Sequence, residues 1–234
     1  MGHRQQQFTK IVLDVAGPWA AREDVVAAIA ARAPGWKYAG RLLVHTASHR
    51  TFHLDVVDRD AALGATAALG FRYESPEDRA GAVVTPSLRL TAPGGTFEMA
   101  RLALDAVAAL VQAGGSAVAC RSSGGSLAGA EIATLAAETG GRPLLRAFVA
   151  EHAGADERFT SGMQSLGLAD AVAAGDAHAL LARFTTELVD GAVRPKAGAR
   201  FADARLAHEA TVDVPREDPR FNPFGRWRLT PWMN

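Results

Sequence analysis

The sequence predicts an α/β (α+β) protein with a mixed, largely antiparallel sheet. Segments with helical periodicity alternate along the chain with short apolar segments that are typical of strands. Two of the strand-like segments are joined by the short turn Ser48-His49-Arg50, as in an antiparallel hairpin. The Pro-Gly-Gly break at 93–95 divides the chain into lobes at 1–92 and 93–234. Because this break is too short for a flexible linker, we expect the lobes to pack together.

The first lobe is predicted to follow the βαββαβ order of a ferredoxin-like unit. Gly17-Pro18 ends its first strand and Pro34-Gly35 ends its first helix. Pro86 interrupts its last strand, which predicts an edge or a bulge, because proline cannot donate to a strand ladder. The predicted elements are a strand at 8–15, a helix at 20–33, strands at 42–47 and 51–57, a helix at 61–69, and strand segments at 83–84 and 88–90.

The second lobe also alternates helix and strand, and the order of its elements suggests a second ferredoxin-like unit. Its first helix is apolar nearly all round, which indicates that both of its sides are covered. The predicted elements are a helix at 96–113, a strand at 116–120, a helix at 127–139, a buried strand at 144–150, a helix at 177–189, and strands at 201–206 and 210–214.

Composition disfavours several classes of function. The 234 residues include 25 basic and 25 acidic side chains without a basic stripe, which disfavours binding to DNA or RNA. The first residues lack the apolar run of a signal peptide, and charges interrupt every apolar run, so we expect no membrane span. A single cysteine cannot form an internal disulfide, which indicates a reducing cytoplasm. The Ala-rich composition, with more Arg than Lys, is typical of GC-rich bacteria and leaves the oligomeric state open.

The main candidate site lies at 120–126, where an apolar strand runs into a Gly/Ser loop and a predicted helix. Such a junction can direct several backbone N–H groups at one anion. The stretch lacks the lysine of a P-loop, the later arginine of a phosphatase loop and the final glycine of a nucleophile elbow. A simpler interpretation is that Ser126 caps the helix.

We therefore assign a candidate site for an anionic or polar ligand and no catalytic residue. Cys120 is predicted to lie inside the strand, which disfavours it as a nucleophile. Glu131, on the predicted helix after the loop, can add a carboxylate. Thr160 and Ser161, in a later segment, can add two hydroxyl groups. The candidate residues are Arg121, Ser122, Ser123, Gly124, Gly125, Ser126, Glu131, Thr160 and Ser161.

The hairpin of the first lobe offers a weaker candidate for a metal site. If its turn is centred on His49, then His45 and His53 lie directly opposite each other, with Asp55 two residues further on. Two imidazoles and a carboxylate can hold zinc or iron. The same pattern arises on any polar sheet face, and no tight metal-binding motif accompanies it. We therefore assign no metal and no cofactor.

Two later segments have unusual sequences, at 159–170 and 218–229. The first contains the pattern Gly-Met…Gly-Leu-x-Asp, whose apolar residues can plug a loop into the core while its glycines allow the bends. These residues are Met163, Leu166 and Leu168, with Gly162 and Gly167. Alternatively, both segments line a groove with the loop at 120–126.

The second segment is rich in proline and aromatic residues. We expect it to wrap around the body of the protein and bury its rings while Asn222 satisfies a turn. The rings belong to Phe221, Phe224, Trp227 and Trp232.

Together with the Ser122-Ser123-Gly124 loop, these two segments resemble an uncharacterised bacterial family, the domain of unknown function 4261. The resemblance covers mainly 96–174, and the C-terminal segment matches more loosely. It implies no established activity, and no catalytic residue is carried over from it.

The sequence favours a non-enzymatic binding or interaction module whose partner is a small anionic ligand or a protein. Neutral charge, the lack of a cofactor fingerprint and the lack of a convergent catalytic set support this interpretation. The alternative is a small hydrolase or transferase that acts on an anionic substrate at 121–126, with Glu131 or a histidine as base. A metal-dependent enzyme at His45, His53 and Asp55 is a third hypothesis.

Overall fold

The computed structural model describes residues 9–57, 87–210 and 221–232. These ranges form two sheets whose strands are mostly antiparallel, which confirms the predicted mixed α+β class. The helices are α1 (Arg22–Arg32), α2 (Phe97–Gln112), α3 (Gly129–Ala137), α4 (Arg142–Phe148) and α5 (His178–Val189), with a 3₁₀ helix at Met163–Leu166. The strands are β1 (Lys10–Ala16), β2 (Trp36–Ala39), β3 (Leu42–His45), β4 (Thr51–Val57), β5 (Ser87–Pro93), β6 (Ala117–Cys120), β7 (Ser126–Ala128), β8 (Ala150–Ala153), β9 (Glu157–Ser161), β10 (Asp170–Ala174), β11 (Arg200–Phe201), β12 (Ala204–Glu209) and β13 (Arg226–Pro231).

The first sheet has the strand order β2-β3-β4-β5-β1-β6-β7, and its neighbouring strands are all antiparallel. Its strands alternate apolar and polar side chains, so that one face is buried. Leu13, Leu90 and Leu54 lie side by side on this face, where α2 packs against β1 and β5. Asp14 and Arg89 lie on the opposite face.

Helix α2 lies at the centre of the apolar core. Thr96 caps its start by accepting a hydrogen bond from the Met99 N–H at 3.1 Å. The helix packs against α1, α3, α4, the 3₁₀ helix and the first sheet, which confirms the prediction that both of its sides are covered. The same core contains Leu13 from the first lobe and Phe148 and Met163 from the second. The predicted helices at 20–33, 96–113 and 177–189 are confirmed as α1, α2 and α5.

The second sheet has the order β11-β12-β13-β10-β9-β8 and contains one parallel pair, β10 with β13. Helix α5 packs against β9 and β10, and its Phe184 meets the ring of Phe201 edge-on at 5.1 Å. The aromatic C-terminal segment is predicted to wrap around the body of the protein. It also supplies β13, which is an inner strand of this sheet. Its Asn222 satisfies a turn as predicted, because Asn222 Oδ1 accepts a hydrogen bond from the Phe224 N–H at 2.8 Å. The predicted burial of the Trp232 ring is wrong, because this residue is 41% exposed.

The strand order of the first sheet differs from that of a ferredoxin-like unit, in which the first and third strands are parallel neighbours. Here β1 lies between β5 and β6, and β4 pairs with β5. Strand β5 is therefore an inner strand, and the predicted edge position is wrong. The burial of Leu88 and Leu90 agrees with this inner position. The predicted helix at 61–69, the strand segment at 83–84 and Pro86 lie outside the described residues, as does most of the predicted strand at 210–214.

In the second lobe, one predicted helix is confirmed with a later start, and one predicted strand is wrong. The predicted helix at 127–139 starts only at Gly129, because residues 126–128 pair with β6 as a short strand. The predicted strand at 144–150 is mostly helix α4, which has Pro143 in its first turn, where proline fits a helix. Leu144 and Phe148 are buried one turn apart on one face of α4.

Candidate functional site

The predicted loop at 120–126 is the turn of the β6–β7 hairpin. The Cys120 N–H donates to the Gly125 carbonyl at 2.8 Å, and the Gly124 N–H donates to the Cys120 carbonyl at 2.8 Å. The Gly125 N–H donates to Ser123 Oγ at 3.3 Å. Since Ala128 and not Ser126 is the N-cap of α3, the predicted Ser126 cap is wrong. These amide groups close the turn and do not converge on a helix start.

Three residues from separate segments meet at this turn and form what we call the serine–histidine cluster: Ser123, His152 and Ser161. Ser161 Oγ lies 2.7 Å from the Ser123 carbonyl oxygen and 2.7 Å from His152 Nε2. His152 Nε2 lies 3.0 Å from the same carbonyl oxygen, and its ring stacks on Phe159 at 5.0 Å. Ser161 is fully buried. The cluster joins two residues of the predicted set through His152, which is absent from that set.

The serine–histidine cluster has the composition of a nucleophile and its base, but its hydrogen bonds fit a structural role. The Ser123 carbonyl oxygen can only accept hydrogen bonds. All three polar groups are satisfied when the Ser161 hydroxyl donates to this carbonyl and His152 Nε2 carries a hydrogen. In that tautomer, Nε2 donates to Ser161 Oγ and cannot remove its proton. The cluster therefore fastens the β6–β7 turn to β8 and β9.

The register of the β8–β9 hairpin explains the place of His152. His152 pairs with Phe159 and Ala150 pairs with Ser161, so these four side chains share one face and His152 is diagonal to Ser161. The hairpin turn begins at Gly154, whose N–H donates to the carbonyl of Glu157 at 2.7 Å. This glycine marks the turn in the sequence, but a turn signal alone does not fix the register that places His152 diagonal to Ser161.

Arg121 and Ser122 both have partners within the protein. Arg121 Nη1 donates to Asp14 Oδ2 at 3.1 Å, and Arg89 Nε donates to Asp14 Oδ1 at 2.8 Å. The hydrogen bond to Asp14 raises the pKa of Arg89. Ser122 Oγ lies 3.3 Å from the sulfur of Cys120, which is buried. Arg121 thus ties the turn to β1.

Glu131 and Thr160 have partners away from the turn. Glu131 forms an ion pair with Arg146 at 2.7 Å. Thr160 neighbours Ser161 along β9, so its side chain points to the other face of the strand. There its hydroxyl donates to Asp170 Oδ1 at 3.2 Å.

Asp170 lies in a buried polar cluster that joins three segments. Its carboxyl group accepts hydrogen bonds from Thr160, from the Met163 N–H at 3.2 Å and from Asn222 Nδ2 at 2.7 Å. Burial raises the pKa of Asp170 to about 7, although these hydrogen bonds act in the opposite direction. The cluster holds the C-terminal segment against β9 and the 3₁₀ helix.

The hairpin register separates the histidines of the predicted metal candidate. His53 pairs with Leu42, and the His45 N–H donates to the carbonyl of Arg50, so the predicted opposition of His45 and His53 is wrong. His45 Nδ1 lies 2.8 Å from Ser48 Oγ, whereas His53 Nδ1 lies 3.8 Å from Asp55. Within the described ranges, no three His, Cys, Asp or Glu side chains are grouped closely enough to hold a metal ion.

A cavity of about 590 Å³ lies where the start of β4, the end of β5 and the first turns of α2 meet. Phe52, Met99 and Leu102 line its inner part, and the exposed side chains of Arg50 and Glu98 line its opening. A shallower cavity of about 430 Å³ adjoins it. Both cavities depend on the pairing of β4 with β5, and none of the predicted ligand residues lines either of them.

No family model matches the sequence, and no curated protein or solved structure matches it. The resemblance to the domain of unknown function 4261 therefore stays a prediction. Among the parts of the chain that the structure describes, none of the helices has the length and apolar character needed to cross a bilayer.

Proposed function

We propose that this protein is a non-enzymatic binding module. The observation that carries the proposal is the closed serine–histidine cluster, in which the Ser161 hydroxyl is fully buried and donates to the Ser123 carbonyl. The surroundings are tightly packed, because a Cβ atom added at Gly162 would overlap the Phe148 carbonyl and the Ser123 side chain. A serine held in this way supports the fold and does not attack a substrate.

The cavity beside α2 supports a binding role. Its volume of about 590 Å³ falls within the range of about 300–1,000 Å³ that is usual for small-molecule sites. Its lining combines apolar side chains with a few charged ones, which is also typical of such sites. A cavity of this size and lining fits a small-molecule ligand better than it fits the surface of a macromolecule.

The alternative of a small hydrolase or transferase at 121–126 has less support. The 2.7 Å distance between Ser161 Oγ and His152 Nε2 favours it. Against it, the N–H groups of Ser123, Gly124 and Gly125 donate within the turn. The Arg121 side chain is paired with Asp14.

We also propose a family, a bacterial source and a cellular location for this protein. We infer membership of the domain of unknown function 4261 family from the segments at 159–170 and 218–229, and a bacterial source from the composition. A cytoplasmic location is supported by the one cysteine, Cys120, which is buried and unpaired.

Hydrolysis of p-nitrophenyl acetate and p-nitrophenyl phosphate tests the proposal. We expect the wild type, Ser161→Ala and His152→Ala to share one background rate, because the serine–histidine cluster performs no chemistry. His208→Ala is the matched control, since His208 also contacts a carbonyl, that of Phe224, at 3.0 Å. Hydrolysis by the wild type that both cluster variants abolish, while they stay folded and His208→Ala stays active, would contradict the proposal.

A further inference from the structure

The structure assigns a ligand class to the cavity beside α2: we propose that it binds a small organic anion, with one carboxylate or sulfonate group on an apolar body. This inference rests on the proposed binding function and adds to it the site and the chemistry of the ligand.

The inner part of the cavity is apolar. Phe52 is only 3% exposed and belongs to the core, and Met99 and Leu102 are half-buried on successive turns of α2. The exposed ring of Pro93 adds apolar surface at the edge of the cavity. An apolar ring or short acyl chain placed here removes apolar surface from water on both partners, which favours binding.

The two adjoining cavities together are lined by two basic side chains, Arg50 and Lys10, and one acid, Glu98. Arg50 and His49 line the larger cavity, and Glu98 is the single acid among its described lining residues. Lys10 and His53 line the adjoining cavity, in which none of the residues that the structure describes is acidic. With histidines left out of both counts, the whole chain has 25 basic and 25 acidic residues, whereas the described lining of the two cavities has two basic residues and one acid. The cavities therefore have a local excess of one basic side chain. This excess favours a ligand with negative charge.

Arg50 is available for such a ligand. Its guanidinium lies 3.5 Å from Glu98, and the two side chains are 51% and 70% exposed. An exposed ion pair of this length contributes little to stability, so an anionic ligand can displace Glu98 at small cost. The planar guanidinium can then bind the carboxylate or sulfonate with two parallel hydrogen bonds.

The wall opposite Arg50 is held in place by the core. The Gly94 N–H donates to the Thr9 carbonyl at 2.8 Å, and the Gly95 N–H donates to the Ser165 carbonyl at 3.0 Å. Ser165 belongs to the 3₁₀ helix that plugs into the core. The cavity is therefore formed before a ligand arrives, which reduces the entropy lost on binding.

Fluorescence titration with 8-anilinonaphthalene-1-sulfonate, an aromatic sulfonate, tests the proposal. N-phenyl-1-naphthylamine has the same rings without the sulfonate and serves as the neutral probe. We expect Arg50→Gln to weaken sulfonate binding about two- to fivefold and to leave binding of the neutral probe unchanged. Arg205→Gln, at an exposed arginine of β12 in the other sheet, is the matched control and should change neither.

A second variant, Met99→Glu, keeps the test independent of Arg50. Glutamate fits the first turn of α2, so the helix is preserved, while a new carboxylate enters the cavity. We expect it to weaken sulfonate binding more than Arg50→Gln does. Sulfonate binding to the wild type that neither variant changes would overturn the cavity assignment, while the proposed binding function would stand.

Other outcomes overturn other parts of the proposal. If the wild type binds both probes equally, or binds neither, the ligand class is wrong. Turnover of substrate at the serine–histidine cluster would overturn the proposed function itself.

Discussion

The carboxyl group of Asp170 accepts hydrogen bonds from β9, from the 3₁₀ helix and from the C-terminal segment. Its pKa is raised from 3.8 to about 7, mainly because burial disfavours the charged form. The folded protein therefore binds a proton that the unfolded chain has lost between about pH 4 and about pH 7. Across that window the free energy of unfolding falls as pH rises, and above it this group adds no further change.

We predict that the wild type loses about 3 kcal/mol more stability than Asp170→Asn between about pH 5 and about pH 8. Urea unfolding of both proteins at the two pH values measures this difference. Asp156→Asn, at an exposed aspartate, should behave like the wild type. The same pH dependence in Asp170→Asn as in the wild type would show that Asp170 does not titrate in this range.

Single residues with local roles were predictable from the sequence. Gly162 and Gly167 have positive φ values of 102° and 77°, and Met163 and Leu166 are buried, which confirms the predicted plug. A glycine that permits a bend acts through its own backbone, so sequence reveals it. His152 acts through a diagonal contact with Ser161, which depends on strand register and could not be predicted from its immediate neighbours.

At the scale of elements, the 3₁₀ helix depends on the glycine that follows it. A Cβ atom added at Gly167 would overlap the Gly95 carbonyl, on the wall of the cavity. Gly191 has nearly the same φ, 71° against 77°, but nothing lies within 4 Å of its Cβ position. The pair therefore separates the cost of a left-handed backbone from the cost of overlap.

We predict that Gly191→Ala destabilises the protein by about 1 kcal/mol and Gly167→Ala by about 3 kcal/mol or more. Thermal unfolding of the two variants beside the wild type measures both values. Equal destabilisation would show that Gly167 matters only for its φ angle and that the wall can move to accept a methyl group.

The elements themselves were partly predictable. The long periodic helix α2 follows from its sequence pattern, whereas α4 was predicted as a strand. An apolar run of about seven residues fits one face of a short helix and a buried strand equally well. Pro143 in the first turn was the signal that favours the helix.

At the scale of the whole molecule, the mixed α+β class was predictable and the strand order was not. Pairing of β5 with β1 and β4, and insertion of β13 between β10 and β12, join segments that are far apart in the chain. Such pairings depend on tertiary packing rather than on local sequence. The cavity beside α2 exists only because β4 and β5 pair, which is why the predicted ligand residues lie elsewhere.

We propose that this protein binds an organic anion beside α2 and performs no chemistry at the β6–β7 turn. Backbone amide chemical shifts, measured by NMR during titration with 8-anilinonaphthalene-1-sulfonate, test it most directly. We predict the largest changes at 49–52 and 94–99, around the cavity. Changes confined to 121–126 and 150–161, with the cavity residues unaffected, would contradict the account.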